Sequence, residues 1–192
     1  LKLATLNVLH DRKQHKLLQH KIRHDAICRE LEALDADVIG LNEVTSSFLA
    51  RLLQEPWVRN GYTVSAVPDD TRCPVSTLLN NHWGNVLLSK VPPVSVEYVE
   101  QPVGGVHSHV MSLCLCEPRE PQGGTRPLSV AVCSTHLTAC PWLMEGRRKI
   151  QLTHLTATVT DSLGGGAFDL CVVMGDLNFH REAESASIPE GW

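Results

Sequence analysis

Residues 171–184 read CVVMGDLNFHREAE, and the fold turns on how this stretch is interpreted. Cys171 to Met174 is an apolar run of strand character that breaks off in Gly175-Asp176-Leu177-Asn178. Glycine lets a backbone turn sharply, and two oxygen-bearing side chains follow it. Asp176 and Asn178 can close an Asx turn or furnish a site. If the chain stays extended, positions i and i+2 point to one side, so the pair would face one pocket with Leu177 turned into the core.

Three more apolar runs end in the same manner. ATLNV delivers Asn7, VIGLNEV delivers Glu43 and VAVCSTHL delivers His136. Singly, each has an ordinary explanation: a turn residue, a charge ahead of a helix N-terminus, a hydrogen-bonded histidine. All of these must hold together if no site exists, whereas one shared site accounts for every strand end.

Working outward from these ends, alternating or continuous apolar runs predict strands over 2–8, 37–41, 62–66, 85–89, 94–99, 107–116, 128–134 and 169–174. Helices fit between them. One covers 23–34, where Ile27, Leu31 and Leu34 repeat at helical spacing. A second follows Thr45, an N-cap for SSFLARLL. A third covers 144–163 and stops at three glycines. Mixed strands and helices, with hairpins in the middle, argue for a single α/β domain over 1–192 in which helices cover a pair of sheets. Residues 67–84, VPDDTRCPVSTLLNNHWG, form a long loop of the kind that is often functional. EPREPQGGTRP, 117–127, reads as an exposed hairpin connection.

With 192 residues, 43% of them hydrophobic, the chain can bury one sizeable core. A net charge of −4 with histidines neutral gives no bulk attraction for polyanions, so any polyanion site is local. No apolar run approaches the roughly 20 residues of a spanning helix, and no charged-then-apolar leader opens the chain. The seven cysteines include no CxxC pair, and Cys28, Cys114, Cys116, Cys133 and Cys171 fall in apolar patterns. The expectation is a reduced, intracellular, monomeric chain, nuclear or cytoplasmic, without a membrane partner. Leu1 opens inside a strand pattern and Trp192 follows a loop, so a piece truncated at both ends is expected.

Two carboxylates with amide oxygens nearby make a hard donor set. It suits Mg²⁺ or Mn²⁺, completed by water and substrate phosphate, and suits zinc poorly.

Taken in order, TLNV, DVIGLNEV, WGNVLLSK, STHL and VVMGDLNF resemble the motifs of the endonuclease/exonuclease/phosphatase superfamily, the deoxyribonuclease I-like proteins. The resemblance covers nearly the whole chain. GDLNFHREAE followed by IPEGW, together with HLTACPWLMEGRRKIQL, is most similar to the 5′-tyrosyl-DNA phosphodiesterase branch. Leu6 stands where a Trp is usual before the first Asn, and Asn42 where a Gln is usual before the Glu. The resemblance implies a four-layer α/β sandwich, two mixed β-sheets packed face to face with helices outside, here C-terminally incomplete. It also implies Mg²⁺-dependent hydrolysis of phosphodiesters in DNA or RNA.

Residue by residue, the resemblance makes Glu43 the metal ligand and Asp176 the group that orients and deprotonates water. Asn178 and Asn7 would hold water, metal or phosphate oxygens, and His136 would donate to a non-bridging phosphate oxygen. Arg147 and Arg148 would bind phosphate, against the alternative of a solvated helix face. Arg181 and Glu182 would position the loop or the substrate, against the alternative of turn chemistry; Asn85 would line the substrate groove, and Trp83 would stack on a base or aromatic leaving group unless it packs in the core. A further strand with Ser-Asp-His is usual in the superfamily and has no counterpart before Trp192; His154 and His180 lie outside that pattern. The chain alone is therefore expected to hydrolyse poorly. The alternatives of the same fold are an RNA exonuclease or deadenylase and an inositol-phosphate or sphingolipid phosphoesterase. The alternative of another class is a non-catalytic binding module.

Overall fold

β1 (Leu3–Asn7) and β2 (Val38–Val44) run parallel, joined through α1 (His20–Leu34). The computed structural model describes residues 1–11, 19–66, 83–103, 107–115, 127–139, 144–162, 168–180, 182, 184 and 188. After β2 come α2 (Ser46–Leu52), α3 (Pro56–Gly61) and the short β3 (Thr63–Val64). β4 (Gly84–Ser89) pairs antiparallel with both β2 and β3, so the first sheet has the order β1-β2-β4-β3. In the second sheet β5 (Pro93–Val99), β6 (Ser108–Leu115) and β7 (Leu128–His136) form an antiparallel meander. The chain then crosses through α4 (Glu145–Ala157) and a π-helical turn, Thr158–Ser162, and β8 (Leu170–Asp176) adds parallel to β7. The order there is β5-β6-β7-β8.

Alternation along the central strands sorts side chains into layers. Ile39 and Leu41 of β2, with Val86 and Leu88 of β4, pack with Cys28 and Leu31 of α1 and Phe48, Leu49 and Leu52 of α2. Val38 and Leu87 point the other way, onto Met111, Leu113, Val130 and Val132 of the second sheet. Val110, Ala131 and Cys133 pack with Leu155 of α4 and Val159 of the π turn. Helix, sheet, sheet, helix is the four-layer sandwich expected from the sequence. A one-residue slip of β2 would turn Ile39 and Leu41 away from the helices, at about 1.5–3 kcal/mol for each side chain left exposed. The sheets come close at Gly40, where an added Cβ would lie 2.9 Å from Met174 Cε and 3.1 Å from Ser134 Oγ.

Several boundaries differ from expectation for visible reasons. α1 begins at His20 rather than residue 23, because the Asp11 carboxylate sits against His20, Arg23 and His24 in its first turns and favours the helix N-terminus. Thr45 caps α2 as expected, its Oγ1 accepting the Phe48 N–H at 3.2 Å. α3 was not anticipated; its signal is Pro56 at the first helical position. β7 and β8 run two residues past their predicted ends because they pair in register as far as His136 and Asp176. The third helix is α-helical only to Ala157. Residues 67–82 of the long loop, residues 117–126 of the hairpin connection, Cys116 and Arg181 lie outside the described residues. Among the described residues no helix is long and apolar enough to cross a membrane, and Cys28, Cys114, Cys133 and Cys171 are free thiols.

Candidate active site

β1 and β2 of one sheet and β7 and β8 of the other end beside one another, and their polar terminal residues meet. Asn7 closes β1 with a tight turn in which its Oδ1 accepts the Leu9 N–H at 2.9 Å, Leu9 taking a φ of 56°. The amide nitrogen then points the other way. Asn7 Nδ2 donates to Glu43 Oε1 and to Asp176 Oδ2, both at 2.9 Å. Only the nitrogen end of a carboxamide can donate to two carboxylates while its oxygen accepts an N–H, so the hydrogen-bond pattern fixes the amide orientation.

Glu43 reaches Asn7 through a backbone irregularity. The β2–β4 register shifts between Leu41 and Val44, and Glu43 has a φ of 58°, a conformation that costs a non-glycine residue about 1–3 kcal/mol. Bulges re-aim side chains in this way. Glu43 is half-buried between fully buried neighbours, and its Oε2 accepts the His10 N–H at 3.0 Å, with His10 Nε2 at 3.7 Å.

Asp176 ends β8 opposite His136 of β7, their side chains 3.7 Å apart at Oδ2 and Nε2. Gly175 precedes it with a φ of 137°, and a Cβ there would lie 1.9 Å from the Thr135 carbonyl oxygen. Asp176 Oδ1 accepts the Asn178 N–H at 3.0 Å, so the Asx turn and the site are the same structure. Asn178 takes a φ of 51°, which corrects the expectation of an extended pair facing one pocket. Its Nδ2 donates instead to the Leu137 carbonyl at 2.9 Å, bracing the loop after His136.

His136 is 6% exposed. Burial outweighs the attraction of Asp176 and Glu43, which with His10 nearby leaves its imidazole below the ordinary histidine range. Trp83 leans on it at 5.2 Å and stacks flat on His10 at 5.7 Å with an interplanar angle of 7°. This aromatic row walls one side of the site. A cleft of roughly 240 Å³, lined by Thr5, Leu6, Asn7, Asn42, Gly175 and Asp176, opens beside the carboxylates.

Three expected substrate contacts are not brought together with these groups. Asn85 is fully buried beneath them; its Oδ1 accepts from Asn42 Nδ2 at 2.8 Å and its Nδ2 donates to the His107 carbonyl at 2.9 Å. Arg148 is 1% exposed and pairs with Glu184, Nη2 to Oε2 at 2.6 Å and Nε to Oε2 at 2.7 Å, so it cannot touch a substrate phosphate. It holds Glu184, whose Oε1 accepts the His180 N–H at 3.1 Å, and thereby anchors the loop that follows Asn178. Gln151, one turn on, fastens the loop after His136 through the Thr138 N–H at 2.9 Å. Arg147 is exposed on the outer side of α4.

Asn42 is the residue that sequence reasoning underrated. Fully buried, it donates to the Thr135 carbonyl at 2.9 Å and to Asn85, and accepts the Asp176 N–H at 3.0 Å. A polar residue in a run as apolar as VIGLNEV was the available signal. Among the described residues, Asp11, His20 and His24 form a second gathering of titratable groups. Its signal was the four-residue spacing of the two histidines.

The donor chemistry of Glu43 and Asp176 fits a hard divalent cation: two carboxylates from different strands share one amide, and their environment is half-buried rather than apolar. Two mixed sheets stacked face to face, with acidic, amide and imidazole groups at their strand ends, define an α/β sandwich whose site lies where the sheets meet. The chain belongs to the Endonuclease/Exonuclease/phosphatase family, whose model matches residues 4–189.

Solved structures with the same fold include a humanized D. rerio TDP2 carrying 14 mutations (TM-score 0.68, 16% identity, 100% of this chain and 72% of that one). TDP2 from C. elegans is similar at TM-score 0.68 and 18% identity, over 100% of this chain and 51% of that one. D. rerio TDP2 complexed with single strand DNA product is similar at TM-score 0.64 and 18% identity, over 100% of this chain and 66% of that one. The chain thus spans about half to three quarters of the length of these structures. No curated protein matches the sequence.

Proposed function

We propose that this chain is the catalytic part of a divalent-metal-dependent phosphodiesterase acting on nucleic acid, with 5′-tyrosyl-DNA ends the first substrate to test and RNA the next. The observation that carries this reading is the Asn7 amide shared between Glu43 and Asp176 at 2.9 Å each. Such sharing draws two anionic groups together without adding charge, as a cation site requires. The similarity to TDP2 structures, one of them holding a single strand DNA product, supports the choice of substrate.

Glu43 and Asp176 would hold Mg²⁺ or Mn²⁺, which when bound supplies Lewis acidity at the phosphate and the leaving oxygen. Asp176 accepts the proton of the attacking water, oriented for this by the Asn178 N–H on its other oxygen. Asn7 fixes both carboxylates. His136, held at the end of β7, donates to a non-bridging phosphate oxygen as charge builds there. Trp83 offers its ring to a base or an aromatic leaving group. The reading carries with it a monomer inside the cell, nuclear or cytoplasmic.

Hydrolysis of bis-p-nitrophenyl phosphate and of a 5′-tyrosyl oligonucleotide with Mg²⁺ tests this, using the full-length protein that contains this chain. Glu43→Gln and Asp176→Asn should abolish turnover. Turnover undiminished in both variants would remove the site; turnover of the small diester alone would remove the substrate assignment.

A further inference from the structure

The loop after β1 gathers another set of ligating atoms, one that does not include Glu43. Asp11 Oδ1 lies 2.9 Å from His20 Nδ1 and 3.0 Å from His24 Nε2. The histidines stand four residues apart at the start of α1, which puts both rings on one helix face. One ligand atom from each of the three residues lies within 4.8 Å of the others.

We propose that Asp11, His20 and His24 form a second cation site, for a borderline ion of the zinc type held by two imidazole nitrogens and one carboxylate oxygen, with the remaining position left to water. Two imidazoles and a carboxylate are the donors such an ion prefers, and the all-oxygen preference of Mg²⁺ disfavours it here. Ligand atoms 2.0–2.1 Å from a tetrahedral ion stand about 3.3 Å apart, so each ring nitrogen needs to move from Asp11 by only a few tenths of an ångström, and the two ring nitrogens need to settle at that spacing from within 4.8 Å.

The surroundings already hold the ligands in place. Asp11 Oδ2 accepts from Ser47 Oγ at 2.6 Å and from Thr45 Oγ1 at 3.0 Å, which fixes the carboxylate plane as outer-shell partners do around bound metals. The His24 ring stands edge-on to Phe48 at 5.0 Å. Burial by itself would raise the Asp11 carboxyl, but the Ser47 and Thr45 hydrogen bonds and His24 hold it below the usual range, ready as an anion. Arg23 Nη2 also lies 2.9 Å from Asp11 Oδ1. A cation would therefore share its carboxylate with a guanidinium, which weakens its binding. Binding puts the cation between Asp11 and the two imidazoles, and ties the loop carrying His10 to α1 and α2.

The site stands independently of the phosphodiesterase reading, and zinc chloride titrated by calorimetry into the whole chain under excess Mg²⁺ tests it. Co²⁺ absorption in the visible range provides a second readout. The expected result is one equivalent of zinc for the wild type, lost in His20→Ala and in His24→Ala, retained in Glu43→Gln and Asp176→Asn, and bound about tenfold more weakly by Ser47→Ala. Far-UV circular dichroism and the urea midpoint of each apo variant separate lost binding from lost folding, and His20→Ala, at the first position of α1, keeps the test open if His24→Ala does not fold. No zinc bound by the wild type, equal zinc in the wild type and His20→Ala, or loss of zinc in Glu43→Gln would each overturn the proposal.

Discussion

The side-chain carbonyl of Asn42 accepts the backbone N–H of Asp176 at 3.0 Å, across the gap between the two sheets. The same carboxamide donates to Asn85 and to the Thr135 carbonyl, so one buried group ties β2, β4, β7 and β8 together directly under the carboxylates. Asn42→Ala leaves a buried amide N–H, a carbonyl and the Asn85 oxygen without their partner, at about 1–3 kcal/mol apiece. Urea unfolding should show the variant at least about 3 kcal/mol less stable than wild type. A loss within experimental error would mean that water replaces the amide without cost.

Gly175 and Gly40 should respond differently to the same change. Gly175→Ala places a methyl 1.9 Å from a backbone oxygen at a φ of 137°, and neither chain can yield without parting β7 from β8. Gly40→Ala meets the end of the flexible Met174 side chain, which can move, and Ser134 Oγ at 3.1 Å, which needs to give by only a few tenths of an ångström. Soluble yield and thermal melting should fall severely for the first and mildly for the second; the reverse order would place the β7–β8 pairing elsewhere.

Arg148 and Glu184 pair while fully buried, and a buried charge left without its partner is strongly destabilising whereas an apolar pair of similar size is tolerated. Arg148→Met and Glu184→Gln should each lower Tm at neutral pH, and the double substitution Arg148→Met, Glu184→Met should recover much of the loss.

The same pair fixes a pH dependence. Burial would raise the Glu184 carboxyl, but the His180 N–H and Arg148 outweigh it and hold the carboxyl below its ordinary range. A carboxyl lowered on folding stabilises the fold above its unfolded pKa, and that contribution disappears as pH falls through the lower, folded value. The gap in Tm between wild type and Glu184→Gln should therefore be full at neutral pH and close below about pH 4. A gap that persisted in strong acid would show that Glu184 contributes through packing alone.

Asn7→Leu removes the donor that Glu43 and Asp176 share and leaves the two carboxylates facing each other. Without a cation the variant should melt below wild type, and Mn²⁺ should raise its Tm by more than it raises that of wild type, since a ligand that binds only the folded state stabilises it. Equal shifts would argue that the carboxylates do not share an ion.

The layer order was legible through the resemblance, and the continuous apolar runs of β2 and β4 agree with burial on both faces: Ile39, Leu41, Val86 and Leu88 face the helices, Val38 and Leu87 the second sheet. The meeting of Asn7, Glu43, His136 and Asp176 was legible from their repeated place at strand ends. What could not be read was direction. Nothing local distinguishes Arg147 from its neighbour, yet helical phase sends one to solvent and the other onto Glu184, a residue 36 positions away. The left-handed backbone of Glu43 was hidden for the same reason: it comes with the shift of register between β2 and β4, and Glu43 is not a glycine that would have announced it.

Glu43 belongs to one sheet and Asp176 to the other. The distance between the two carboxylates therefore reports the spacing of the sandwich. A swelling of the interior in mild denaturant would draw them apart before any strand or helix is lost, so the proposed hydrolysis should fall silent in a protein whose circular dichroism is still that of the native fold.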